Sequence, residues 1–431
     1  MKKLFGQNRE RGLELSRRGL LKGALAVAGA AAGARLAGPL VGRAGAAPNG
    51  ETSHFVHIFF NGGLNALFAG CADKFLTGNV FGVTSSNILE VGDGVFTDKG
   101  TFGTLPKFAL DHWAAIGIRH GNALHTTPQN LRSGGERALL VNGSKCYLNE
   151  LAYYMGGDSA FKAVYFGDRA PAYQAQPKFQ DVPLERVSDL KNALRAAGGD
   201  GPDPDAPERE PAAMALETSA AISQRQIGTN PGRLSPLTDA YDSAVASLRK
   251  PLPPPVTFEE IDKAYGLGGR SSVNSFAAML AGAEIMIRAA NTNVINICDF
   301  GLASWDFHQV SGGRSLNGTY SRNKLTGTGG FSGNRIAPIR TFISRMLNTP
   351  GRNVVVAISG ELVRLPNGDH GDGTLAMLFG KYVKRGLSFP VNSQARFSPS
   401  TPGPKGFWAA VAAALKVPGQ PFGANPHPLI V

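Results

Sequence analysis

The sequence predicts an α/β fold built on a large central sheet, mixed or mostly parallel, flanked by helices. Three observations carry this expectation. Residues 354–358, Val-Val-Val-Ala-Ile, form an unbroken and mostly β-branched apolar run, as expected of a strand covered on both faces in a parallel sheet. Residues 272–300 pass from helical spacing into a second apolar run, VINICDF at its centre, which is the helix-then-strand rhythm of α/β proteins. Apolar runs of this kind end in glycines and ionisable residues, and ligands of open α/β sheets bind outside the carboxyl ends of strands.

Taken in order, residues 1–47 read as a twin-arginine export signal. Ser16-Arg17-Arg18-Gly19-Leu20-Leu21-Lys22 precedes a Gly/Ala-rich run over 23–34, and Ala44-Gly45-Ala46-Ala47 offers a small-residue cleavage site near Ala46. The uncharged run before Arg35 is too short to span a bilayer, which takes roughly 20 residues. The expectation is passage through the twin-arginine translocase, no stable membrane span after cleavage, and a periplasmic or extracellular mature chain over 48–431. The chain's net charge of +12 fits this, since residues 1–46 hold nine Lys/Arg against two Asp/Glu and the remainder 35 against 30. With no basic stripe left in the mature part, nucleic acid is not expected as a partner.

The mature chain opens with a strand over 54–60 and a Gly-rich turn, Asn61-Gly62-Gly63-Leu64-Asn65. Residues 73–104 read as loops, 105–113 as a helix and 114–119 as a strand. His120, His125, Thr126 and Ser133 follow in a polar loop, then helices over 136–141 and 149–155 and a strand over 163–166. The lower hydrophobicity and Gly/Pro breakers of 181–255 predict a mainly helical insertion with flexible edges, its helices at 213–225 and 237–248. A helix over 272–290 and a strand over 292–300 come next. The Gly/Ser/Asn-rich stretch 311–334 reads as a long loop able to act as a lid. A helix over 336–347 leads into the 354–358 strand, and helices over 374–382 and 407–415 close the chain. Cys71, Cys146 and Cys298 allow at most one disulfide, and Cys298 lies in an apolar run suited to the core.

Candidate ligands collect after three strands. Asn65 follows the first, Asp306 and His308 the second, and Glu361, Arg364, Asp369 and His370 the third. A carboxylate and an imidazole on neighbouring residues among glycines suit zinc, manganese or iron. The Asp369-His370 pair also fits a plain polar turn, with Asp369 capping a helix that starts near Gly373-Thr374. Two acid/His pairs, each beyond a buried strand, point instead to a metal site.

The export signal, the Gly62-Gly63 turn, Trp305-Asp306-Phe307-His308, Ser359-Gly360-Glu361-Leu362-Val363-Arg364 and Asp369-His370-Gly371 together resemble the exported family called domain of unknown function 1501, over about residues 54–390. That family is grouped with the alkaline-phosphatase and sulfatase superfamily, so the resemblance implies an alkaline-phosphatase-like fold and hydrolysis or transfer at phosphate or sulfate esters of an anionic small molecule or polymer. It implies a divalent metal ion (zinc, manganese or calcium) held by Asp306, His308, Glu361, Asp369 and His370, with Asn65 as a further ligand. Arg364 would clamp the anion. Ser133 or Thr126 would be the nucleophile, or a metal-bound water would attack directly.

The chain departs from the family pattern where Asn65 and Ala66 replace an Asp-Gly pair and Gly134 replaces a histidine after Ser133. The Glu-Phe-Gly-Arg pattern becomes Glu361-Leu362-Val363-Arg364. No Cys-x-Pro-x-Arg sequence is present, which excludes the formylglycine type of sulfatase. The alternative function is a non-catalytic cell-envelope binding or assembly protein on the same scaffold.

Overall fold

The computed structural model describes residues 50–70, 85–126, 134–143, 145–157, 159, 161–167, 182, 184–196, 214–215, 217–218, 221, 256–301, 304–307, 313–365 and 369–431. By its contacts the chain separates into two compact units. One comprises residues 41–190 and 258–431 and holds the sheet. The other comprises 1–40 and 191–257, and little of it is described. The export signal lies outside the described residues, as do most of the insertion and its expected 237–248 helix, while the described residues within 213–225 (214, 215, 217, 218 and 221) are helical.

The strands in chain order are β1 (Thr52–Phe60), β2 (Ile88–Gly92), β3 (Val95–Asp98), β4 (Trp113–Arg119), β5 (Val141–Asn142), β6 (Lys145–Cys146), β7 (Ala163–Phe166), β8 (Leu184–Arg186), β9 (Val294–Cys298), β10 (Arg352–Gly360), β11 (Gly373–Phe379) and β12 (Gly386–Ser388). The helices are α1 (Lys107–Asp111), α2 (Gly135–Leu140), α3 (Tyr147–Met155), α4 (Leu190–Ala196), α5 (Phe258–Tyr265), α6 (Phe276–Arg288), α7 (Gly313–Thr326), α8 (Ile336–Met346) and α9 (Pro404–Ala414). Eight strands make one mixed sheet in the order β12-β4-β11-β10-β1-β9-β7-β8. All its pairings are parallel except those of β11, which runs against both β10 and β4. The expected α/β class and mostly parallel sheet are therefore present, and one edge of the sheet gathers the ends of β1, β4, β9 and β10 with the start of β11.

Alternation along β1 builds the two layers. Phe55 and Phe59 join a core with Trp408 of α9 and Tyr147 and Leu151 of α3, while Phe60 stacks on Phe276 of α6 on the opposite face. His57 lies fully buried on the first face. Its Nδ1 meets Asn296 Oδ1 at 2.9 Å and its Nε2 meets Ser359 Oγ at 2.9 Å, tying β1 to both neighbours. Burial pushes His57 down to about 4 against the opposing Asn296 bond, so it is neutral.

Four local expectations are corrected. Residues 374–382 are not a helix: β11 occupies Gly373–Phe379, every residue of it buried. An all-apolar run carries no helical or strand period, and hydrogen bonding to strands on both sides overrides the helix preference of Leu, Ala and Met. The start of β11 at Gly373 also removes the helix that Asp369 would have capped. The 311–334 stretch is not a long loop, because α7 fills most of it. Its residues are polar, but Asn317, Ser321, Lys324 and Leu325 are buried, so tertiary contacts supply what composition does not. Within 73–104 the structure places the β2/β3 hairpin. Residues 184–186, assigned to the insertion, form the edge strand β8. Cys146 and Cys298 are both buried, the latter in the core as expected.

Candidate functional site

The site is built where two backbones touch. Gly360 ends β10 against the Gly62-Gly63 turn after β1, and a Cβ on Gly360 would overlap the Leu64 amide nitrogen. That contact needs a residue without a side chain. Gly134 plays the same part at the start of α2, where a Cβ would collide with Thr126. Position 134 thus has no room for a side chain in this chain.

Glu361 follows Gly360 and is fully buried. Its Oε2 accepts from the Gly62 amide at 3.0 Å and from His125 Nδ1 at 3.0 Å. Its Oε1 accepts from the amides of Thr126 and of Glu136, the latter at 3.3 Å. Burial alone would raise this carboxyl, but the hydrogen bonds and charge of His125 and the bonds from Thr126 outweigh it and hold the group below the usual carboxylate range. Expected as a metal ligand, Glu361 instead spends both oxygens on His125 and on backbone N–H groups. A carboxylate that orients a ligating imidazole from behind is a common partner of metal sites.

His125 Nδ1 donates to Glu361, and its Nε2 lies 3.1 Å from Asp306 Oδ2, to which it donates when the ring is protonated; an ion at Nε2 would displace that proton. Burial would lower the His125 pKa, yet hydrogen bonds and charge from Asp306 and Glu361 raise it overall. The His370 ring meets His125 edge-on with centroids 4.1 Å apart, and its Nδ1 donates to the Ala123 carbonyl at 2.9 Å, which leaves Nε2 as its lone-pair nitrogen. One ligand atom each from His125, Asp306 and His370 lies within 4.8 Å of the other two. Ligands about 2.0–2.2 Å from a tetrahedral zinc ion stand roughly 3.3–3.6 Å apart, inside that limit, so the trio has the reach of a metal shell. Two imidazoles with Nδ1 anchored, joined by one carboxylate, fit zinc or manganese.

Arg364 Nη2 donates to Asp306 Oδ1 at 2.8 Å and to the Gly62 carbonyl at 2.7 Å. The side chain is fully buried, and its Nε and Nη1 have no hydrogen-bond partner among the described residues. Burial lowers its pKa against the charge of Asp306, but a guanidinium stays protonated. Leaving such N–H groups unsatisfied costs about 1–3 kcal/mol or more.

Asp306 is held by a hub absent from the sequence expectations. Asp299, directly after β9, accepts from Trp305 Nε1 at 2.9 Å and from Arg335 Nε at 3.2 Å. Lys324 of α7 donates to the Ser304 carbonyl at 2.6 Å and lies 4.6 Å from the Trp305 ring centroid. Burial pushes Lys324 down to about 8, opposed by Asp299 and assisted by Arg335.

The remaining expected residues are placed as follows. Asn65 is buried outside the trio, its Nδ2 donating to Asn317 Oδ1 at 3.0 Å and its Oδ1 accepting from the Leu67 amide. Asp369 accepts from the His370 amide at 2.8 Å. Thr126 is buried, and its hydroxyl accepts from the Glu136 amide at 3.1 Å. His308 and Ser133 lie outside the described residues. The sequence left open whether His120 or His125 stands in for the histidine absent after Ser133, and it is His125, just beyond β4, that lies with Asp306 and His370.

No protein-family model matches the chain, and no curated protein matches it. Among the described residues, no helix is long and apolar enough to cross a membrane.

Proposed function

We propose that the mature chain is an exported, divalent-metal-dependent hydrolase of phosphate or sulfate esters, with an alkaline-phosphatase-like fold and kinship to domain of unknown function 1501. The observation that carries this reading is the convergence of His125, Asp306 and His370 beside a buried arginine whose Nε and Nη1 have no partner among the described residues. A ligand trio supplies a cation site and the arginine an anion site, and ester hydrolysis at phosphorus or sulfur uses both.

When bound, the ion would supply a Lewis acid and an activated water. The chain's own residues set the geometry. Glu361 fixes the His125 ring, the Ala123 carbonyl fixes the His370 ring, and Arg364 orients Asp306 through Nη2 while offering Nε and Nη1 to an ester oxygen. Nothing in this arrangement requires Thr126 as nucleophile, because its hydroxyl is already engaged at the start of α2.

One observation favours the second reading, a non-catalytic envelope binding or assembly protein. Glu361 and Asn65 are committed to internal hydrogen bonds, which shrinks the expected ligand set and weakens its hold on an ion. Elemental analysis of mature protein purified without chelator, beside a His125→Ala/His370→Ala variant, separates the two. Stoichiometric metal in the parent alone, with turnover of aryl phosphate or sulfate esters, supports the hydrolase. Absence of metal from both removes it.

A further inference from the structure

Arg364 is not the only residue at this edge with buried polar atoms that no described residue satisfies. Asn317 Nδ2 and Ser321 Oγ are unpartnered as well, and each residue is 1% exposed. They stand four residues apart on α7 and so share one helix face. Lys324, one turn further along, reaches the Ser304 carbonyl, and Ser304 Oγ is itself buried without a partner.

The same face is tied to the anion-binding arginine through a single turn. Asn317 Oδ1 accepts from Asn65, and Asn65 lies three residues beyond Gly62, whose carbonyl accepts from Arg364. Buried polar atoms in folded proteins are nearly all satisfied, so clustered exceptions point to a species the chain does not itself supply. The chemistry of the cluster selects that species. Guanidinium N–H groups, a carboxamide NH2 and hydroxyls can all donate, which suits an oxyanion and not a second cation.

We propose that Asn317 and Ser321 of α7 extend the Arg364 site into a subsite for a tetrahedral oxyanion, phosphate or sulfate, and donate to its peripheral oxygens. This rests on the hydrolase reading and deepens it: α7 becomes the wall that recognises the ester's anionic group, and the Asn65–Asn317 amide pair holds that wall to the turn after β1.

The test is calorimetric titration of inorganic phosphate and of sulfate into the whole mature chain, first loaded with zinc or manganese and assayed for metal content. The variants are Asn317→Leu, Ser321→Ala and the near-isosteric Asn317→Asp, with melting curves recorded before anion is added. The expected result is anion binding by the parent, weakened on the order of tenfold by Ser321→Ala and by Asn317→Leu, as for loss of one hydrogen bond to a charged group. Asn317→Asp weakens it further by like-charge repulsion, and metal stoichiometry stays unchanged. Should Asn317→Leu fail to fold, the other two carry the comparison. Equal anion affinity in parent and variants overturns the subsite and assigns the unpartnered atoms to structural water. A parent that takes up metal but neither anion overturns the subsite and leaves the metal centre standing, whereas a parent that binds neither metal nor anion removes the hydrolase reading with it.

Discussion

Replacing Glu361 by Gln tests the centre of the site most directly. Gln keeps the shape of the side chain but exchanges one carboxylate oxygen for an NH2 group. Every position around that carboxylate is a donor: the amides of Gly62, Thr126 and Glu136, and His125 Nδ1. Whichever way the amide turns, its NH2 faces two donors and leaves them unsatisfied. Each lost charge-assisted bond is worth about 1.5–3 kcal/mol, and breaking a buried charge pair from one side costs about 3–5 kcal/mol. The expected destabilisation is therefore about 3–5 kcal/mol, a large share of the roughly 5–15 kcal/mol that a domain possesses. A second readout follows, because His125 loses the acceptor that fixes its tautomer, and metal affinity should fall by about 10–100-fold. Urea denaturation gives the first quantity and equilibrium dialysis against zinc or manganese the second. A variant within about 0.5 kcal/mol of the parent, with unchanged metal affinity, would refute the assignment of Glu361 as the anchor of His125.

Other perturbations follow from the same contacts. Gly360→Ala drives a methyl group into the Leu64 amide and should cost about 1–3 kcal/mol, as overpacking does; a melting temperature equal to that of the parent would contradict the close approach. Asp299→Asn weakens the grip on Trp305 and Arg335, so metal affinity should drop although no ligand changes, and an unaltered dissociation constant would remove Asp299 from the site. His54, His57 and His427 are pushed down by burial to about 3, 4 and 4. They remain neutral in the fold and take up protons in the unfolded chain as pH falls below about 6.5. Stability from these groups should be fully present above that pH and decline towards pH 4, by up to roughly 1.4 kcal/mol per pH unit for each histidine. Urea midpoints compared at pH 7.5, 6 and 5 give the slope, and a flat profile would show that their burial is not maintained.

The sequence revealed this molecule where local pattern and tertiary role coincide. The 354–358 run could be read because β-branched residues and burial on both faces agree, and Asp306 and His370 could be read because polar groups just past a buried strand have few other uses. β11 was misread because the apolar run Leu375–Phe379 is equally suited to either backbone until its neighbours are known. α7 was misread for the opposite reason: its buried side chains are Asn, Ser and Lys, and only partners from residues 65 and 304 make them interior. The role of Glu361 was hidden because a carboxylate beyond a strand looks the same whether it faces an ion or a ring of N–H groups. Those donors come from residues 62, 125, 126 and 136, which the fold brings to residue 361 from far along the chain.

The one antiparallel strand of the eight-stranded sheet also implies an expected order of assembly. Because β11 turns back beside β10, the loop bearing Glu361, Arg364, Asp369 and His370 is closed by short-range pairing, with Val363 donating to Gly373, Gly371 to Val363 and Leu365 to Asp369. Such a hairpin can form in microseconds. β1 must instead find β10 across the separation from Thr52 to Arg352, and contacts of that range are slow because loop closure precedes any gain. His370 is thus presented early, while the Gly62 carbonyl that seats Arg364 arrives only when the first strand docks. A metal ion that needs the whole constellation can be retained only by a chain that has finished folding, which makes ion retention a readout of the last folding step.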